Sequence, residues 1–327
     1  MTVRHGDSLP WNKRDRERKR PGTVVPWEVG VAGPEANPAH SEAKCRAGYG
    51  ALSRTYRLSS QQIERYRRDG HVFLPQLLPA DSIRPYREAI VATADRNSRE
   101  TRPLEERDTY GKAFLQIFNL WTLDETVRRF VHAARFAQVA ARLLGVEGVR
   151  LYHDQALFKE PGGGITPWHQ DQHYWPLDTD RTITLWMPLV DIEEDMGMMQ
   201  FASGAHRLGY ITNKGISDDS EAFYERFVAD QGLDISATRT ARAGDASFHA
   251  GWALHRAPPN RSSVRREVMT VIYFADGTRI TDPVRPEARG DLRAWLQDLP
   301  PGAPAATRLN PVVWPAGPDH LGEDSGG

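Results

Sequence analysis

The chain has 327 residues, and its 42 Lys and Arg against 43 Asp and Glu leave a formal net charge of −1. That balance excludes a protein drawn as a whole to nucleic acid or to an anionic membrane. A single cysteine, Cys45, excludes an internal disulfide framework and a CxxC-type zinc site.

Residues 1–55 are rich in Pro, Gly and Arg and show no apolar period, so a disordered or loosely packed N-terminal extension is expected. A nucleic-acid arm or a partner-docking segment are the alternatives for its mixed-charge run Lys13–Arg20. It has no apolar h-region, and no run in the chain approaches the roughly 20 apolar residues of a membrane span. A cytoplasmic protein without a membrane or nucleic-acid partner is the expectation. Ser59 and Ser60 before Gln61, Gln62 and Ile63 read as the start of a helix that ends at Gly70. His71–Leu74 reads as a short strand, and a second helix is expected over Asp81–Arg96. Val127, Phe130, Val131, Ala134, Val139, Leu143 and Leu144 recur at helical spacing and predict one helix over Glu125–Leu144. From Val149 the period turns to strands: Val149–Lys159, Thr182–Val190, Asp245–His249 and Glu267–Phe274. A helix is expected at Ser220–Asp230 within the polar stretch 207–243. Helices followed by strands at hairpin-like spacing predict an α+β fold or a β-barrel with a helical buttress. From Pro300 the pattern fades into a Pro/Gly-rich tail, 300–327, with an apolar cluster at Val312, Val313 and Trp314 positioned to dock. The expected globular domain is therefore 56–299.

The chemistry concentrates at Pro167-Trp168-His169-Gln170-Asp171-Gln172-His173. Alternate side chains on a strand share a face, so His169 and Asp171 are expected side by side. An imidazole and a carboxylate joined by one distant His make a facial triad, which suits Fe(II) and leaves positions open for substrate and oxygen. His206, His249, His255 and His320 are the downstream candidates for the third position. His173 falls on the same strand face and reads as a pocket residue beside the triad, since a fourth protein ligand would block chemistry. An Arg on the strand after His255 offers bidentate recognition of a carboxylate. A metal triad with a nearby Arg implies a small dicarboxylate that also chelates the metal. His153 and Gln155 alternate along their strand and are expected to line the barrel. For Lys159 a salt bridge at the rim is the simple reading.

Several ordered segments resemble the phytanoyl-CoA dioxygenase family of Fe(II)/2-oxoglutarate-dependent oxygenases. They are Ile63–Val72, Trp168-His169-Gln170-Asp171, Thr184-Leu185-Trp186, Gly197 with Gln200–His206, Gly244-Asp245, and the pair His255 and Arg266. Ser203 and Ala205 depart from the family's Pro-Gly-Ser-His turn, and no catalytic role attaches to that turn. The resemblance implies a double-stranded β-helix, a jelly-roll or cupin-like barrel buttressed by N-terminal helices. It implies His169, Asp171 and His255 as iron ligands. Arg266, eleven residues after His255, is then the 2-oxoglutarate-binding residue, with Arg265 facing the opposite side of the strand. Trp186 and, less directly, Gln116 are implied contacts of the co-substrate. The implied cofactors are Fe(II), 2-oxoglutarate and O2. The implied reaction hydroxylates an unactivated C–H of a small molecule and converts 2-oxoglutarate to succinate and CO2. Asp171 favours hydroxylation, desaturation or ring-forming oxidation over halogenation, because related halogenases carry a small residue there. A non-catalytic cupin-like binding protein and a zinc-dependent hydrolase or isomerase are the competing classes. The N-terminal helices, the Gly162–Gly164 loop and the 207–243 stretch are expected to form the mouth of the barrel.

Overall fold

A computed structural model describes residues 50–315. Helix α1 (Ser60–Asp69) is set by a reciprocal cap: the Ser59 hydroxyl accepts from the Gln62 amide at 3.2 Å and Gln62 Oε1 accepts from the Ser59 amide at 2.8 Å. Gly70, at φ 80°, ends it, and a Cβ there would lie 2.4 Å from the His206 ring. Next come α2 (Ala80–Asn97), α3 (Thr109–Ala113), α4 (Glu125–Val131) and α5 (Ala134–Leu144). The single helix expected over 125–144 is thus two. Ala133 is extended at φ −57°, ψ 119°, and the break lets each half bury its stripe on a different surface. The first half packs on α2 and the second on α1 and the strands behind it. One straight helix could not face both.

The strands are β1 (His71–Leu74), β2 (Leu115–Phe118), β3 (Val149–Lys159), β4 (Thr166–His169), β5 (Thr182–Pro188), β6 (Gln200–Ala202), β7 (Ile235–Ala237), β8 (Ala246–Ala250), β9 (Leu254–Ala257), β10 (Arg266–Ala275) and β11 (Val312–Trp314). The larger sheet runs β1-β8-β5-β10-β3-β11, with β2 also on β3, and the smaller runs β4-β9-β6-β7. Every strand pair is antiparallel. Two facing antiparallel sheets in this order form the jelly-roll, so the fold is α+β as expected.

β5 and β10 are central and covered on both faces, which is why TITLWMP and REVMTVIYFA lack a polar face. Leu185, Met187, Met269, Val271 and Tyr273 point outward into the main core under the helices. Trp186 and Val268 point inward to meet Met198, Met199 and Phe201 of the smaller sheet's side. A bulge leaves Tyr152 without a partner on β10, since Ile272 pairs His153 and Tyr273 pairs Leu151. In the 207–243 stretch, α6 (Asp218–Asp230) packs against β4. Tyr224 and Val228 bury against Trp168 and Leu254, and Glu221 accepts from the Trp168 amide at 2.6 Å. A last helix, α7 (Arg289–Leu296), follows β10.

The packed body runs past both expected boundaries. Leu52 belongs to the main core, and the apolar cluster Val312–Trp314 adds a strand to β3. Asn310 secures that strand by donating to the Leu151 and Tyr152 carbonyls at 3.2 and 3.1 Å. Residues 1–49 and 316–327, which hold the rest of the expected extension and tail together with His320, lie outside the described residues. Among the described residues no helix is long and apolar enough to cross a membrane.

Candidate metal centre

Three side chains from three segments converge between the sheets. His169 ends β4, His255 lies on β9 directly opposite it in the register, and Asp171 opens the short 3-10 turn after Gln170. Asp171 Oδ1 lies 3.4 Å from His169 Nε2 and 3.6 Å from His255 Nε2. One ligand atom from each of the three falls within 4.8 Å of the others. The imidazoles are oriented from behind. His169 Nδ1 is 2.8 Å from the Pro167 carbonyl and His255 Nδ1 is 3.0 Å from the Ala253 carbonyl. A carbonyl can only accept, so each Nδ1 carries the proton and each Nε2 presents its lone pair to the centre.

The far oxygen of the carboxylate is held equally firmly. Asp171 Oδ2 accepts from the Thr184 hydroxyl at 2.9 Å and from His249 Nε2 at 3.1 Å. Burial opposes ionisation of Asp171, yet its carboxyl is held well below the usual range, with the His249 ring donating to Oδ2. Burial, with His169 beside it, pushes His255 far below the ordinary imidazole value, so it is neutral at neutral pH. Two imidazoles and one carboxylate are a donor set that fits Fe(II).

His249 therefore touches the triad through Asp171 and does not replace His255. The sequence reading takes His249 as a packing residue or one supporting the ligands, in line with this contact, whereas the part played by Thr184 escaped it. Period-2 alternation with the inward Trp186 would have placed Thr184 on the inner face, but nothing local says it meets Asp171. His173 departs from the expectation of a shared face: the strand ends at His169, and the turn carries His173 to a parallel ring contact with Tyr210, 6.1 Å between centroids. His206 packs against Gly70 in the turn after β6. Trp175 is in the core with Tyr152 and Ile272, while the Tyr174 hydroxyl accepts from the Ile216 amide at 2.9 Å.

A second feature of the inner face lies on β10. Arg266 is 2 % exposed and turns inward, its guanidinium 5.7 Å from the Trp186 ring centroid. Burial pushes it down to about 10, which leaves it charged at neutral pH. Arg265 faces the other way and pairs with Asp95 at 2.9 Å and Glu267 at 2.9 Å. Opposite faces for adjacent strand residues follow from the pleat. Gln116 on β2 donates to Gln155 Oε1 at 2.5 Å and accepts from the Tyr110 hydroxyl, so its amide belongs to a polar row along β2 and β3. His153 is buried between Phe118 and Trp295, with centroids at 5.2 and 5.3 Å, and burial drives it down to about 3. Lys159 is not at the rim: it is fully buried and makes no salt bridge with any described residue.

Residues 66–268 match the family model described as phytanoyl-CoA dioxygenase. A probable alpha-ketoglutarate-dependent hypophosphite dioxygenase of Stutzerimonas stutzeri is 26 % identical over 154 residues, covering 46 % of this chain and 54 % of that protein. A methylphosphonate hydroxylase of Gimesia maris is 23 % identical over 221 residues, covering 67 % of this chain and 81 % of that one. The match to the hypophosphite enzyme, like that to the ectoine dioxygenase of Bordetella parapertussis, spans about half the relative's length. Among solved structures, the alpha-ketoglutarate-dependent carbocyclase SnoK of nogalamycin biosynthesis superposes with a TM-score of 0.63 at 25 % identity, covering 78 % of this chain and 96 % of that one. The family match runs from the end of α1 to the start of β10 and takes in all three triad residues and Arg266, and the chain belongs to the phytanoyl-CoA dioxygenase family.

Proposed function

We propose that the protein is an Fe(II)/2-oxoglutarate-dependent dioxygenase that hydroxylates a C–H bond of a small molecule. The observation that carries this reading is that the His169–Asp171–His255 triad on the smaller sheet's side and the buried Arg266 of the larger sheet both turn into the space between the two sheets. A zinc hydrolase or a passive binding barrel has no use for that guanidinium. Iron with 2-oxoglutarate and O2 supplies the oxidising chemistry, with succinate and CO2 as co-products. The chain's own part is geometric. His169, Asp171 and His255 hold the metal on one face, and Thr184 and His249 fix which carboxylate oxygen faces it. Arg266, against Trp186, receives the co-substrate's far carboxylate and so sets the orientation of its other end. Gln116 and Gln155 supply amide groups along the neighbouring wall. The two sheets and the packed helices keep water out, which strengthens each polar contact inside.

Two further outcomes share this site, since solved neighbours include a carbocyclase and an epimerase. The intact carboxylate at Asp171 is compatible with each of these and with hydroxylation. The test is anaerobic titration of the Fe(II)-loaded protein with 2-oxoglutarate, followed by the visible metal-to-ligand charge-transfer band. Arg266→Ala is expected to weaken binding by about one to two powers of ten, from the roughly 1.5–3 kcal/mol of a charge-assisted hydrogen bond. Arg265→Ala, on the outer face, is expected to change it little. No band in the wild-type protein, or equal affinity in the Arg266 variant, overturns the assignment.

A further inference from the structure

Arg266 has a neighbour that the triad and its supports leave unexplained. Lys159 is its direct partner in the β3–β10 register. Opposite residues of an antiparallel pair have Cα atoms about 4.5–5.5 Å apart and side chains on one face. Both side chains are buried, at 0 % exposure for Lys159 and 2 % for Arg266. Neither is in an ion pair among the described residues. Lys159 Nζ donates only to neutral acceptors, the Gly164 carbonyl and the Thr166 hydroxyl, the latter at 3.3 Å. Arg266 donates to the Gly197 carbonyl, and its Nε has no partner.

Two cations placed side by side without a carboxylate are costly, because burial removes water from each and each repels the other. The chain nevertheless builds this pair with care. The Pro161–Gly164 turn folds over Lys159: a Cβ on Gly163 would meet the Lys159 side chain at 2.8 Å, and Asn260 donates to the Lys159 carbonyl at 3.1 Å. Resting on the co-substrate reading above, we infer that Lys159 is a second cation for the far carboxylate of 2-oxoglutarate, which it grips together with Arg266. A carboxylate has two oxygens and about four acceptor positions, enough to take an ammonium and a guanidinium at once. It also neutralises the repulsion between them. Burial and the Arg266 charge push Lys159 down to about 6, so near neutral pH the free site holds it largely as the amine, and a carboxylate placed beside it favours the ammonium. The glycine turn, expected at the mouth of the barrel, is on this account the clamp that holds Lys159 in place.

The experiment compares two acids on the Fe(II)-loaded protein without oxygen: 2-oxoglutarate, and 2-oxopentanoate, which keeps the metal-binding end and lacks the far carboxylate. Lys159→Met is expected to weaken 2-oxoglutarate roughly ten- to hundredfold while leaving 2-oxopentanoate within about threefold. Lys159→Gln, which keeps a polar end, serves as the second variant. Thermal melting without ligand reports whether each one folds. Equal weakening of both acids would show that Lys159 only supports the fold, and an unchanged 2-oxoglutarate affinity would show that it does not touch the carboxylate; either result overturns the inference. Failure of both variants to fold overturns it as well, by making the lysine structural. If the wild-type protein binds neither acid, the co-substrate reading itself fails. If wild type and Arg266→Ala behave as expected and Lys159→Met is silent, only the second cation fails.

Discussion

Thr184→Val tests whether the metal centre is built from behind. Valine is nearly isosteric, suits a strand, and removes only the hydroxyl that donates to Asp171 Oδ2 at 2.9 Å. A hydrogen bond to an ionised group is worth about 1.5–3 kcal/mol, or one to two powers of ten in affinity. His249 still holds the same oxygen at 3.1 Å, so the carboxylate is loosened and not released. The expected loss of Fe(II) affinity is therefore about tenfold, the lower end of what partners of metal ligands contribute. His249→Phe should cost a similar factor, and the double variant should exceed either one, because Oδ2 then has no donor and Oδ1 is no longer aimed at His169 and His255. Competition with a chromophoric chelator under anaerobic conditions gives these dissociation constants directly. His173→Ala, whose ring lies against Tyr210, is the control and should stay within about twofold. Single and double variants all within twofold of wild type would refute the claim that Thr184 and His249 orient the carboxylate.

Gly244→Ala should destabilise strongly: at φ 88° the strain alone is roughly 1–3 kcal/mol, and the new Cβ would lie 2.0 Å from the Leu78 carbonyl oxygen. An unchanged denaturant midpoint would contradict this. Ending the chain after Leu299 should lower the melting temperature and promote association, since it strips β11 and Asn310 from the edge of β3; a chain ending after Pro315 is the reference, and equal melting of the two would remove the argument. Lys159 gives a pH signature in the metal-free protein. Its folded value of about 6 lies below the ordinary 10.5, so between these values the unfolded chain holds a proton that the folded chain lacks. The destabilisation from this lysine is fully present below about 6 and fades as pH rises toward 10. Lys159→Met should accordingly exceed wild type in unfolding free energy most at pH 6 and least near pH 9.5; a gap that is constant or widens with pH argues against the buried, unpaired ammonium.

Much of this protein is legible in its sequence because the signals are local. The Ser59–Gln62 cap and Gly70 mark α1, and the strand-like stretch Val149–Lys159, closed by Pro161 and Gly162, marks β3, since capping and the pleat depend on near neighbours. The spacing of His169 and Asp171 and the alternation of Arg265 and Arg266 are equally local: alternation says that only one Arg turns inward, and the family's offset from His255 picks Arg266. The break at Ala133 is different: the apolar period runs through it, and only the two surfaces to be covered require the chain to bend there. The same holds for Val312–Trp314, whose place beside β3 depends on an edge formed by residues more than 150 positions earlier. Register between distant strands decides the rest. It sets His255 against His169, swings His249 and Thr184 onto the far oxygen of Asp171, and buries Lys159 beside Arg266 where its position near a glycine turn suggests the rim. A sequence specifies which residues share a face of their own strand; which faces meet across the barrel is fixed only when the two sheets close on each other.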